Sequence, residues 1–257
     1  MQLNVVIWYF FFYAVIGYLV EVAYCSILQH RLVNRGFLYG PWLPIYGIGA
    51  LVIAACTRPF AEYALVVFLA TMALTSLVEY ITSVALERFF GLRLWDYSGY
   101  RFNFRGRVCL KNTVLFGLLG LSLVYAIHPA IQALLAMMDL RAQEVGAHVI
   151  VLLLGIDTTA SSLGMVSFTT LLERYHRRKG EIEERLAALA ASAQARLLIE
   201  HLKEERHELL ESLVARSRSI LSRFPSLTSQ SEERRGHLRT LRERLGHILE
   251  EHGNDEK

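Results

Sequence analysis

Charge is scarce in the first two thirds of this chain. Only 18 of its 51 Lys, Arg, Asp and Glu residues fall at or before residue 172, and between residues 3 and 29 the only one is Glu21. So little charge excludes an ordinary soluble globule for this part. The three cysteines, Cys25, Cys56 and Cys109, are far apart and odd in number, which excludes a disulfide framework, and no close-spaced Cys or His accompanies them as a metal site would need. There is no Gly-rich loop ending in Lys-Ser or Lys-Thr, so the chain does not hydrolyse ATP alone. No basic stripe with interleaved aromatics is present, and the net charge is only +3, so nucleic acid is not an expected partner. No cofactor or metal is expected. In the tail Glu208 follows His207, but Glu211 stands where a zinc-protease motif needs its second histidine.

What is present is a series of long apolar runs. A helix rises about 1.5 Å per residue, so about 20 apolar residues cross a hydrocarbon core of about 30 Å. Five runs are read as spans, at about 4–28, 42–57, 63–87, 112–137 and 147–172. The first lacks a basic leader and contains Glu21, so it is read as a retained helix and not a signal peptide. Arg31 and Arg35 follow the first span. Arg88, Arg93, Arg101, Arg105, Arg107 and Lys111 follow the third, and Arg174, Arg177, Arg178 and Lys179 follow the fifth. All lie on one side, which the positive-inside rule makes cytosolic, with the N-terminus outside. The expected fold is all-α: a five-helix membrane domain over 1–172 and a charged helical tail over 173–257.

Two glutamates stand at matching places. Leu19-Val20-Glu21 recurs as Leu77-Val78-Glu79, Arg35-Gly36 as Arg105-Gly106, Tyr46-Gly47 as Phe116-Gly117, and Leu51 as Leu121. A duplicated hairpin would put both carboxylates at one depth, with loop arginines approaching from the inner surface. An intramembrane carboxylate is costly and defaults to a functional reading, set against structural pairing between helices. The entry to the second span, Tyr39 to Gly47, contains Pro41 and Pro44 and cannot be regular helix. It is expected either to line a cavity or to lie in an interfacial aromatic belt. In the fifth span, Asp157 begins a run of small and hydroxylated residues suited to close helix packing, with His128 beside Pro129 as its expected partner.

The tail shows apolar spacing at Ile182, Leu186, Leu189 and Ala193, then Leu202, Leu209, Leu213 and Ile220, a break at Phe224-Pro225, and a second stripe at Leu238, Leu241, Leu245 and Ile248. These stripes predict a folded-back hairpin or self-association through a coiled coil.

The loop Trp95-Asp96-Tyr97-Ser98 and Phe102 to Leu110 is too rich in aromatic and hydrogen-bonding residues for a linker. Together with Glu21, Asn34 to Pro41, Pro44 to Gly47 and Glu79 to Ser83, it resembles the bacterial family called putative ABC-transporter type IV over about residues 10–125. The resemblance implies a membrane permease served by a separate ATPase subunit. The candidate substrate-binding set is Glu21, Arg35, Tyr39, Tyr46, Glu79, Trp95, Asp96, Asn103, Arg105 and Arg107. Two other readings stay open. One is an enzyme on lipid-linked phosphate, with Arg35, Arg105 and Arg107 on the phosphate and Asp96 or Glu79 as acid or base. The other is a scaffold or sensor that works through its tail, with membrane lipids as surroundings.

Overall fold

The computed structural model describes residues 2–30, 35–189, 196–224, 226–229 and 235–244. Its architecture is an all-α membrane bundle. Helix α1 (Leu3–Gln29) is followed by α2 (Pro44–Thr57), with a 3-10 turn at Arg58–Phe60, and by α3 (Ala64–Phe90). A loop with a two-stranded hairpin, β1 (Asn103–Phe104) and β2 (Val108–Cys109), leads to α4 (Leu110–Ser122). Helix α5 (His128–Ala136), α6 (Leu140–Leu189) and α7 (Arg196–Arg223) follow, and residues 235–244 form a last helical stretch, α8. Four helices are long and apolar enough to cross a membrane: Leu3–Ile27, Ala64–Phe90, Leu110–Ala136 and Leu140–Leu189. The apolar stretch Pro44–Phe60 is shorter.

Between α4 and α5 the backbone widens into a π-helical turn, Leu123–Ile127, just before His128-Pro129. Proline has no N–H for the turn below it, and the wider turn carries the helix past that point without ending it. His128 does not meet Asp157, contrary to the sequence expectation. Its Nδ1 lies 2.5 Å from the Tyr13 hydroxyl on α1.

Asp157 instead secures the broken entry to α2. Its carboxylate accepts from the Tyr39 N–H at 2.8 Å, the Gly40 N–H at 2.7 Å and the Trp42 indole at 2.8 Å, and Ser161 adds a bond at 3.0 Å. The Leu43 N–H reaches the Ala14 carbonyl of α1 at 3.0 Å. Non-helical backbone in an apolar bundle must find such partners, and one acidic side chain serves two of its N–H groups together with the Trp42 indole. The small-residue run of α6 therefore receives a loop. Gly164 leaves room for the Tyr39 hydroxyl, 2.8 Å from where a Cβ would stand.

The repeat has a packing counterpart. The Phe10 ring of α1 lies on Gly47 of α2, and the Phe68 ring of α3 lies on Gly117 of α4; a Cβ at the two glycines would stand 2.7 and 2.6 Å from these rings. Both pairs occupy the positions that the Glu21/Glu79 and Gly47/Gly117 registers equate. Gly47→Ala and Gly117→Ala should each cost about 1–3 kcal/mol through overpacking, read as lowered melting temperature in detergent. Gly47 should be the worse of the two, because the Phe10 carbonyl also stands 2.9 Å from its Cβ position.

Helix α6 runs unbroken for 50 residues, about 75 Å at the usual rise, so the boundary expected at residue 172 falls inside one helix. Helix α7 folds back along it, with Arg178 bridging to Glu205 at 3.4 Å. Residues beyond α7 return to the membrane domain. Arg93 and Thr228 exchange backbone bonds of 2.8 and 2.9 Å, and Leu213, Leu221, Leu227, Leu238 and Leu241 pack with Leu92, Phe168 and Leu172 in one core. Leu245 and Ile248 of the second stripe, and Ala193 of the first, lie outside the described residues.

Candidate functional site

A cavity of about 300 Å³ opens among α1, α2, α3 and α4, and both repeated glutamates line it. Its deep end is formed by Tyr13, Ile53, Leu123 and Ile127. Its near end is formed by Phe37, Leu94, Trp95 and Phe224.

Glu21 is held in a small network. Arg35 donates to its Oε1 at 2.8 Å, and Tyr46 donates to its Oε2 at 2.7 Å. Arg35 also contacts the Cys25 sulfur at 3.0 Å. Burial would favour the neutral form of Arg35, but the adjoining Glu21 carboxylate outweighs it and holds the guanidinium above its ordinary pKa. Gly17 makes the arrangement fit, because a Cβ there would stand 2.3 Å from the Cβ of Tyr46.

Glu79 is different. It is 6% exposed, and its Oε2 is buried with no hydrogen-bond partner among the described residues. Tyr97 places its hydroxyl beside this carboxyl and near Asn112. Burial, reinforced by the charges of Glu79 and Glu21, drives the Tyr97 phenol well above its ordinary pKa, so it remains a donor. Among the described residues no cation forms a salt bridge with Glu79; the nearby arginine pairs involve Glu21 and Glu87.

The loop between α3 and α4 holds itself together. Tyr97 N–H bonds to the Gly106 carbonyl at 2.8 Å, Gly106 N–H to the Asn103 side chain at 2.9 Å, and Ser98 N–H to the Asp96 carboxylate at 2.9 Å. Gly106 has φ +69°, and a Cβ there would stand 2.6 Å from Asp96 Oδ1, so glycine serves both the turn and the close approach. Glu87 anchors the loop to α3. It receives Arg93 at 2.7 Å and also pairs with Arg107, whose other nitrogen donates to Ser83 at 2.9 Å. The Trp95 indole donates to the Arg107 carbonyl at 2.9 Å.

Of the ten sequence candidates, Glu21, Arg35, Tyr46, Glu79 and Trp95 line the cavity. The other five lie elsewhere. Tyr39 stacks under Arg223 at 4.6 Å, Asp96 and Asn103 shape the loop, Arg105 is exposed beside Phe104 and Tyr80, and Arg107 is buried against Glu87. Tyr97 is the residue sequence reasoning passed over. Its signal was its place in the aromatic run Trp95-Asp96-Tyr97, two residues from the Trp95 candidate. Phe224 had no comparable signal, because it reaches the cavity only through the return of the tail.

These features define a polytopic helical membrane protein with an acidic pocket between two packed hairpins. The sequence model described as putative ABC-transporter type IV matches residues 8–162, more than half of the chain, and the chain belongs to that family. No curated protein and no solved structure matches it.

Proposed function

We propose that this chain is the membrane component of a transport system, with the cavity between its hairpins as the solute site. In this reading α2 with its 3-10 turn is a fifth crossing, the N-terminus is outside, and the loops bearing the arginines face the cytosol with the tail. Energy would come from a separate ATPase subunit, as the family name suggests, since this chain carries no Walker loop of its own. The observation that carries the reading is Glu79, a buried carboxylate with one oxygen unpartnered among the described residues, at a cavity whose walls are mostly apolar apart from the Glu21–Arg35 pair and a few hydroxyls. Burying such an oxygen costs free energy unless something binds it. Phosphate capture has less support, because Arg35 and Arg107 are already committed to Glu21 and Glu87.

The test is thermal stabilisation of the purified full chain by a panel of small amphipathic molecules, beside a variant with the cavity filled, Thr82→Phe. A ligand at about 100 times its Kd stabilises the folded state by about 2.7 kcal/mol. At least one panel member should raise the melting temperature of the wild type and fail to raise that of folded Thr82→Phe. Equal shifts in both, or none in either, would refute the site.

A further inference from the structure

Resting on that reading of the cavity as a ligand site, we propose that it takes a small lipophilic cation, an ammonium head on an apolar body, with Glu79 as the counter-charge. The charges within the cavity decide the sign. Glu21 and Arg35 are paired at 2.8 Å, and Glu79 is left without a cation among the described residues. An entering anion would meet an uncompensated carboxylate in a low-dielectric pocket, whereas an ammonium group supplies the charge and the donor that Oε2 lacks. The protonated Tyr97 hydroxyl offers one donor to a carboxyl with several lone pairs, so acceptor capacity remains.

The walls decide the rest of the molecule. Tyr46, Trp95, Tyr97 and Phe116 line the space, and their ring faces attract a cation while their area favours an apolar body. A cavity of about 300 Å³ lies at the small end of ligand sites, which suits one ring with a short amine arm. A bare divalent ion does not fit. Calcium and magnesium want about six oxygen ligands, and no group of three or more His, Cys, Asp or Glu suited to a metal is found among the described residues.

Three probes of one shape test the assignment: 2-phenylethylamine, 2-phenylethanol and 3-phenylpropanoate, each titrated by thermal shift against the full chain in detergent. The amine should bind at least tenfold more tightly than the alcohol, and the propanoate should give no shift. In Glu79→Gln the amine should fall at least tenfold, to the level of the alcohol. Equal affinity for amine and alcohol in the wild type overturns the assignment, whether or not the variant folds. So does amine binding that is unchanged in folded Glu79→Gln. If amine and alcohol bind alike and Thr82→Phe abolishes both, the cation assignment falls and the ligand site stands. If no probe binds, the cation assignment falls; if binding survives folded Thr82→Phe, both fall.

Discussion

Glu87→Ala should be among the most damaging single substitutions in this protein, costing about 3–5 kcal/mol. Its carboxylate is the shared acceptor for Arg93 and Arg107, and the Arg107 side chain is only 7% exposed. Truncation strands a buried guanidinium, and the desolvation penalty that the pair had offset returns in full. The loop carrying Trp95 and Tyr97 would lose its anchor to α3, so the melting temperature should fall and protease cleavage between residues 91 and 109 should rise. The double variant Glu87→Leu, Arg107→Met should recover most of the loss, because apolar replacement of a buried pair is often close to neutral. A Glu87→Ala variant that melts like the wild type would show that the loop is held by its own backbone turns.

Glu21→Ala should be the second, at about 3 kcal/mol, the low end of the range for breaking a buried pair. The two side chains of this pair are 25% and 21% exposed, so water screens them somewhat more than it screens Arg107. Tyr46 loses its acceptor at the same time. Arg35→Ala and the double variant complete a cycle, and the double loss should be smaller than the sum of the singles, since each change removes the same contact. Glu79→Gln offers the contrast. It breaks no ion pair among the described residues, and its cost should stay within about 1 kcal/mol. Melting curves of Glu87→Ala, Glu21→Ala and Glu79→Gln in one detergent check this ordering. The contrast is also what makes Glu79→Gln usable in ligand titrations.

Much of this could be read from residue patterns, for physical reasons that differ by element. The long helices were legible because apolar runs of bilayer length leave little alternative, and the two glutamates because a carboxylate is conspicuous in such a run. The equivalence of Glu21 and Glu79 was legible as spacing, and the Phe10–Gly47 and Phe68–Gly117 contacts are its packing expression. The loop arginines were harder. Arginine type and position say that a carboxylate is near, but not which one. Arg107 pairs with Glu87, one helical turn beyond Ser83, and not with Glu79. Asp157 was expected to meet His128 by depth alone, yet unsatisfied backbone N–H groups at Tyr39 and Gly40 had the stronger claim on it. The return of the tail was the least legible. Its stripes announce that they need a partner, but the Arg93–Thr228 pairing and the arrival of Phe224 at the cavity depend on contacts more than a hundred residues apart.

Trp95 allows the pocket to be examined directly, because it lines the cavity while the other two tryptophans, Trp8 and Trp42, are engaged at Gln143 and Asp157. The measurement is tryptophan emission of the full chain titrated with 4-nitrophenethylamine, a quenching relative of the amine probe, with Trp95→Phe to isolate the Trp95 component. Saturable quenching of that component in the wild type, with its midpoint moved at least tenfold upward in Glu79→Gln, is the predicted result. Quenching that rises linearly without saturation, or that is the same in both proteins, would contradict a ligand site built on Glu79.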